Sequence, residues 1–377
     1  MNPAHIRLLV VDDSALARKV IVGSLAPFPE IEIVGTAADP YAARDKILAL
    51  NPDVVTLDIE MPRMDGITFL KLIMKHRPMP VIIMSSLTAA GSERAMEALQ
   101  AGAIDVMGKP GSNFTAHADG TRLAEKIKAA AGARVCPDTG AAPLLHPPAA
   151  PAIRSSRPSG RSFPARKLIL LGASTGGTEA LKQVLLSLQG DLPGICIVQH
   201  IPAYFSRAFA ERLNQICPME VREARDRDKV TAGLALVAPG GFHMLLKWHA
   251  DHYQVELNEG PAIHHQRPAV DVLFDSAVRA GAGPSTVAAL LTGMGADGAA
   301  GLLRLREAGA RTIAQDEETS VVFGMPREAI RLGAAQHVLP LQKIGPHLEQ
   351  LSAAPSGPDF TTSPTPVMNA HHYDQAN

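Results

Sequence analysis

Short apolar segments alternate with helical ones through residues 6–110, and that alternation leaves few folds open. IRLLVV (6–11), IEIVGTA (31–37), DVVTLDI (53–59), PVIIMSS (80–86) and AIDVMGKP (103–110) read as strands. SALARKVIVGSL, AARDKILAL, ITFLKLIMKH and SERAMEALQAG lie between them with apolar residues at helical spacing, and Ser14 is placed as an N-cap. Five β/α units in a row imply a doubly wound parallel sheet. DGTRLAEKIKAAAGAR (119–134) supplies the last helix of this unit.

Such a sheet gathers its strand ends at one rim. Asp12 and Asp13 end the first strand and Asp58 the third, so three carboxylates meet there and repel one another. A hard divalent cation relieves the repulsion, and Mg²⁺ takes oxygen ligands while keeping some water. A metal held there can also neutralise a phosphoryl group in transfer. Ser85 and Lys109, at the ends of the fourth and fifth strands, add a hydroxyl and an ammonium. Helix capping accounts for one or two of the aspartates, but poorly for the whole set.

VVDDS, LDIEMPRMDG, the MSS strand end and GKP, in that order, resemble a response-regulator receiver domain. The resemblance implies a flavodoxin-like five-stranded parallel sheet in the order 2-1-3-4-5. It implies that Asp58 accepts a phosphoryl group from a histidine kinase, with Mg²⁺ held by Asp12, Asp13, Asp58 and the Glu60 carbonyl. Ser85 would contact the phosphoryl oxygen and Lys109 would pair with the acyl phosphate. Val106 stands where receivers often carry Tyr or Phe as a rotamer switch, which shifts weight onto Ser85 and loop motion.

The chain has 377 residues, which suits two or three domains. After the first, residues 1–134, proline, alanine, serine and glycine dominate 135–165, a composition that cannot bury a core and reads as a linker. Arg154, Arg157 and Arg161 within it, and Arg166 just beyond, make it locally basic. Residues 352–377 are read as a disordered tail, leaving 166–351 as the second domain. Lys plus Arg is 36 against 37 Asp plus Glu, so nothing in the charge points to nucleic acid or a membrane surface. Three cysteines without metal-ligand spacing fit a reducing cytoplasm. No signal-peptide pattern and no apolar run of the ~20 residues a membrane helix needs are present, so direct membrane insertion is not expected.

LILLGASTGG (168–177) opens the second domain: a buried strand, a glycine-rich turn bearing Ser174, then a helix from EALKQVLLSLQ. GICIVQH (194–200) is another strand, ending in His200. STVAALLTG (285–293) is a third, and Met294, Gly295 and Asp297 occupy the turn after it. MEVREA, LALVAP and TIAQD add strands, HMLLKWHADHYQVELNE reads as a hairpin turning near Ala250–Asp251, and Pro326 begins a helix. Ser174, His200 and Asp297 therefore fall at C-terminal strand ends, where open α/β sheets bind ligands. A serine hydroxyl needs a base within reach, histidine titrates in the right range, and a carboxylate fixes the imidazole. The order Ser, His, Asp differs from the Ser, Asp, His of α/β-hydrolases, so Gly172–Gly176 is not read as their nucleophile elbow. A Rossmann-like, mostly parallel doubly wound sheet with a β-hairpin is expected instead. GASTGG lacks the ending of a P-loop. His249, His252, His264 and His265 lack the Cys or carboxylate framework of a zinc site, and no cofactor is expected in this domain.

GASTGGTEAL, QHIPAYFSRAFAERLN, APGGFHMLL, RPAVDVLFDSA and LLTGMGADGAAGL resemble the catalytic domain of chemotaxis protein-glutamate methylesterases. With the receiver, the resemblance covers all but linker and tail. It implies hydrolysis of γ-glutamyl methyl esters on the cytoplasmic helices of methyl-accepting chemoreceptors, with methanol released, and deamidation of certain receptor glutamines. It makes Ser174 the nucleophile, His200 the general base and Asp297 its orienting partner. The Met294 N–H and the turn at Thr175 become the oxyanion donors. Gly241, in APGG, replaces a bulkier polar residue of the family's loop.

Overall fold

The computed structural model describes residues 5–86, 88–109, 116–133, 163–189 and 192–354. The expected linker up to 162 and the tail beyond 354 lie outside these residues.

β1 (Ile6–Val11), β2 (Ile31–Ala37), β3 (Val54–Asp58), β4 (Val81–Ser85) and β5 (Asp105–Gly108) alternate with α1 (Ala15–Leu25), α2 (Pro40–Leu50), α3 (Gly66–His76) and α4 (Ala89–Gln100). α5 (Ala116–Ala131) closes the unit. The strands pair in parallel in the order β2-β1-β3-β4-β5, the order expected. Helices cover both faces, so the central strands β3 and β4 are buried throughout. Side chains in the loops that follow the strands start the helices: Ser14 caps α1, Asp39 caps α2 with Pro40 in its first turn, and Asp65 caps α3.

The second unit holds β6 (Leu168–Ala173), α6 (Gly177–Ser187), β7 (Gly194–Gln199), α7 (Phe205–Ile216), β8 (Glu220–Glu223), β9 (Lys229–Val230) and β10 (Leu234–Val237). It continues through β11 (His243–His249), β12 (His252–Asn258), α8 (Val270–Arg279), β13 (Thr286–Leu290), α9 (Ala299–Glu307) and β14 (Arg311–Gln315). α10 (Met325–Arg331), β15 (His337–Leu339) and α11 (Leu341–Ala353) complete it. Its main sheet is parallel, in the order β15-β14-β13-β6-β7-β10-β8, and β11-β12-β9 form a separate antiparallel sheet. The expected hairpin is β11–β12, with β9 added to its edge.

From β6 the chain moves to β7 on one side, and β13 later returns on the other. The crevice at the end of β6 is therefore a topological switch point, flanked by the ends of β7 and β13. Gly172 makes the packing behind it possible, because a Cβ there would lie 2.4 Å from Val270 of α8.

The two units share an interface. Met96 and Leu99 of α4 pack in one continuous apolar cluster with Phe209, Leu213 and Ile216 of α7. Val321, in the loop before α10, packs against the core of the first unit.

One boundary differs from the sequence reading. α11 runs to Ala353, two residues into the segment read as tail, because Leu341, Ile344 and Leu348 bury one of its faces and Lys167 holds its end. The Lys167 ammonium donates to the Ser352 and Ala354 carbonyls at 2.6 and 2.8 Å, capping carbonyls that have no partner within the helix. Lys167→Met is expected to lower the unfolding free energy by ~1–2 kcal/mol, read as a lower denaturant midpoint at constant slope.

Candidate active site

The rim of the second sheet brings together the three residues that the sequence pointed to. Ser174 follows β6, His200 follows β7, and Asp297 lies past β13 in the turn before α9. The His200 backbone N–H donates to the Ala173 carbonyl, tying the histidine to the strand that carries the serine. His200 Nε2 lies 2.7 Å from Asp297 Oδ2. Asp297 is 2 % exposed, and burial works to raise its carboxyl. The bonds from His200 and from the backbone of Asp271 and Val270 outweigh that and hold it below the ordinary carboxylate range. Val270 N–H donates to Oδ2 at 2.7 Å and Asp271 N–H to Oδ1 at 2.9 Å, so the first turn of α8 cradles the charge. An ionised Asp297 accepts from Nε2–H, which leaves Nδ1 as the basic nitrogen. No hydrogen bond joins Ser174 Oγ to His200 in this state, a separation common before substrate is bound.

Asp271, which the sequence did not single out, sits behind this pair. Its carboxyl is pushed up by burial and by the neighbouring Asp297. Oδ1 accepts from Gly301 N–H at 2.6 Å, linking α8 to the start of α9. His264, Asp271 and Asp297 could offer ligand atoms within 4.8 Å of one another. Both Asp297 oxygens, however, are already engaged by His200 and the α8 backbone.

At the turn after β6, Gly177 N–H donates to the Ser174 carbonyl and Gly176 has φ 76° and ψ −5°. Those angles at the third position define a type II turn, which favours glycine there. A Cβ on Gly176 would also lie 2.6 Å from Val321. Among the described residues, the N–H groups of Thr175, Gly176 and Met294 have no acceptor. Three unpaired N–H groups around a serine are what a developing oxyanion needs.

The first unit reaches into this turn. Thr175 Oγ1 donates to Asp105 Oδ2 at 2.8 Å, and Asp105 Oδ1 pairs with Lys126 of α5 at 2.7 Å. Ser174 and His200 are only 7 % and 5 % exposed with this contact in place. Asp105 was not found from sequence, because a strand-start aspartate carries no sign of a partner 70 residues away.

At the rim of the first sheet, one ligand atom each from Asp12, Asp13 and Asp58 lies within 4.8 Å of the others. Asp12 Oδ2 and Asp58 Oδ2 are buried without a hydrogen-bond partner, which fits a group of oxygens shaped for a cation. Lys109 Nζ lies 2.7 Å from Asp58 Oδ1, and Glu60 N–H donates to the same oxygen. Ser85 Oγ is turned to the Gly91 carbonyl in the first turn of α4. Burial raises the Asp58 carboxyl to about 6 despite Lys109, and Asp12 is also raised, again chiefly by burial.

A receiver-like sheet with an acidic pocket, joined to a Rossmann-like sheet bearing Ser, His and Asp at its switch point, defines a response-regulator-linked hydrolase class. Residues 8–129 match the response regulator receiver domain family, and residues 169–348 match the CheB methylesterase family. A protein-glutamate methylesterase/protein-glutamine glutaminase of Syntrophus aciditrophicus is 50 % identical over 348 residues, covering 92 % of this chain and 99 % of that one. A relative of the same name in Anaeromyxobacter dehalogenans is 49 % identical over 356 residues, covering 94 % and 98 %. The crystal structure of the Thermotoga maritima CheB methylesterase catalytic domain is 38 % identical with a TM-score of 0.48, covering 51 % of this chain and all of that one. The chain belongs to the protein-glutamate methylesterase/protein-glutamine glutaminase family, with its receiver and catalytic domains in one polypeptide. Among the described residues no helix is long and apolar enough to cross a membrane.

The buried Asp58 charge has a measurable consequence. A raised carboxyl binds its proton more tightly folded than unfolded, so the charge costs stability above about pH 6 and the cost fades as pH falls towards 4. With divalent metal chelated, Asp58→Asn is expected to stabilise the receiver by on the order of 1–3 kcal/mol at pH 7.5. The difference should narrow as pH falls through 6 and be lost only below about pH 4 in parallel denaturant titrations.

Proposed function

We propose that this chain hydrolyses γ-glutamyl methyl esters on chemoreceptor cytoplasmic helices, releasing methanol, and deamidates receptor glutamines at the same site. One observation carries the catalytic part: Ser174, His200 and Asp297 converge at the ends of three adjacent parallel strands, with the His200–Asp297 bond already made at 2.7 Å. Ser174 Oγ attacks the ester carbonyl while His200 Nδ1 takes its proton. Asp297 stabilises the imidazolium through Nε2–H. The Met294 and Thr175 N–H groups, with the unpaired Gly176 N–H beside them, receive the oxyanion, and losing one such donor typically costs ~2.7–4 kcal/mol in the barrier. The imidazolium then protonates departing methoxide, and water attacks the acyl-enzyme by the same route reversed. The glutaminase reaction differs only in releasing ammonia.

The receiver regulates access. In the docked arrangement Asp105 holds the Thr175 hydroxyl and α4 covers α7, leaving no room for a receptor helix at a serine 7 % exposed. Asp58 is the phosphoryl acceptor from a histidine kinase. Asp12, Asp13, Asp58 and the Glu60 carbonyl would hold Mg²⁺, which neutralises the phosphoryl oxygens during transfer. Lys109 and Ser85 would then turn to the phosphoryl group. Ser85 in doing so releases Gly91 at the start of α4, the helix that faces the catalytic unit. The chain works in the cytoplasm, where receptor helices and kinase are accessible.

Methanol release from methylated receptor membranes tests the reading. Wild type is expected to show release that rises with a small acyl-phosphate donor, Asp58→Asn to lose the rise, and Ser174→Ala to fall by at least ~10³-fold. Ser174→Ala at near-normal rate would remove the nucleophile assignment. Asp105→Ala should raise the unstimulated rate by roughly 3- to 30-fold, as loss of one charged hydrogen bond from the docked state allows; an unchanged rate would take Asp105 out of the docking contact.

A further inference from the structure

The N–H groups that face the reaction are oriented by side chains beneath them, and two of those side chains have no role in the reaction just described. Gln199, the last residue of β7, donates from Nε2 to the Ser174 carbonyl at 2.8 Å. Thr292, just past β13, donates from Oγ1 to the Thr175 carbonyl at 3.0 Å. Both side chains are buried, Gln199 at 3 % and Thr292 at 0 % exposure. In a planar trans peptide the C=O and N–H point in opposite directions. Holding the Ser174 and Thr175 carbonyls on these two donors therefore points the Thr175 and Gly176 N–H groups away from Gln199 and Thr292 respectively. The Met294 N–H is fixed in the same way, because the Gly293 carbonyl accepts from Gly324 and Met325 N–H at 3.0 and 2.8 Å.

Hydrogen-bond accounting singles out these two side chains. The Thr292 hydroxyl has one proton and two carbonyls in range, Thr175 at 3.0 Å and Val322 at 3.2 Å. The Val322 carbonyl already accepts from Gly293 N–H, whereas the Thr175 carbonyl has no other donor among the described residues. The hydroxyl is itself held by Val322 N–H at 2.9 Å, and the Thr292 backbone by Gln315 Oε1 at 2.8 Å. Gln199 Oε1 is buried with no partner. Its carboxamide thus leaves an acceptor unsatisfied while presenting its donor to the Ser174 carbonyl. The reverse orientation would set two oxygens against each other.

The Thr175–Gly176 peptide is the central unit of the type II turn. Type I and type II turns differ by reversal of that unit, and reversal would carry the Gly176 N–H from one face of the turn to the other. We propose that Thr292 and Gln199 are positioning residues that lock this turn, and so aim the Thr175 and Gly176 N–H groups at the oxyanion. The inference rests on the reading of Ser174 as the nucleophile.

The test uses the full chain, activated by a small acyl-phosphate donor, with methylated receptor as substrate. Thr292→Val keeps the shape and removes the hydroxyl, Thr292→Ser restores it, and Gln199→Met removes the other donor without touching Thr292. Thr292→Val and Gln199→Met should each lower kcat by about 10- to 100-fold with KM within twofold, and Thr292→Ser should stay within threefold of wild type. Affinity for an alkylboronic acid, whose tetrahedral adduct places an oxygen where the oxyanion forms, should fall by a similar factor in the two impaired variants. Thr292→Val at wild-type kcat and boronate affinity would overturn the proposal. So would losses in Thr292→Val that Thr292→Ser shares. Ser174→Ala runs alongside: turnover that ignores Ser174 overturns the nucleophile reading, whereas Ser174-dependent turnover with unimpaired clamp variants overturns only the clamp.

Discussion

Asp297 carries a negative charge at 2 % exposure, and much of the second unit is arranged around keeping it there. Burying an ion costs several kcal/mol unless donors replace the lost water. Here the donors are His200 Nε2 and two N–H groups from the first turn of α8, whose partial positive charge adds to them. The position of α8 is thereby part of the catalytic geometry. That gives the β11–β12 hairpin, which bears none of the reacting groups, a clear task. Leu246 N–H of β11 donates to Ser276 of α8, and His243 Nδ1 accepts from Ala269 N–H just before the helix. The hairpin braces the helix that holds the carboxylate that orients the imidazole.

The same logic explains what could be read from the chain and what could not. Ser174, His200, Asp58 and Lys109 were legible because each ends an apolar strand, and parallel pairing sends all such ends to one rim. The hairpin followed from the same kind of local pattern, whereas the sheet order of the first unit came from the receiver resemblance. Gln199 sits one residue from His200 and Thr292 two from Met294, yet a buried amide or hydroxyl near a strand end is ordinary in composition. Its meaning depends on a carbonyl brought near by another strand. Asp105 acts across the interface between the two units, and Asp271 through its neighbour Asp297, so neither leaves a local signature. β9 and β15 escaped for a simpler reason: two and three residues are too short to show a period.

Among the described residues, the receiver meets the catalytic unit through α4, the start of β5 and the core on which Val321 packs, and none of these contacts is made by Asp12, Asp13 or Asp58. The two regions are nevertheless in contact. Ser85, on the strand that pairs directly with β5, bonds the Gly91 carbonyl at the head of α4. Lys109, bound to Asp58, follows directly on β5. A change of charge at Asp58 therefore acts on side chains attached to both elements of the interface, with no long chain of intermediates.

Lys167 offers a last consequence. It stands at the entry to β6 and grips the end of α11, so the chain enters and leaves the catalytic unit at one place. That place is the N-terminal edge of the sheet, and Ser174 lies at the C-terminal edge. Whatever is appended after Ala354, a tether, a recognition peptide or a fused reporter, starts from the far side of the sheet.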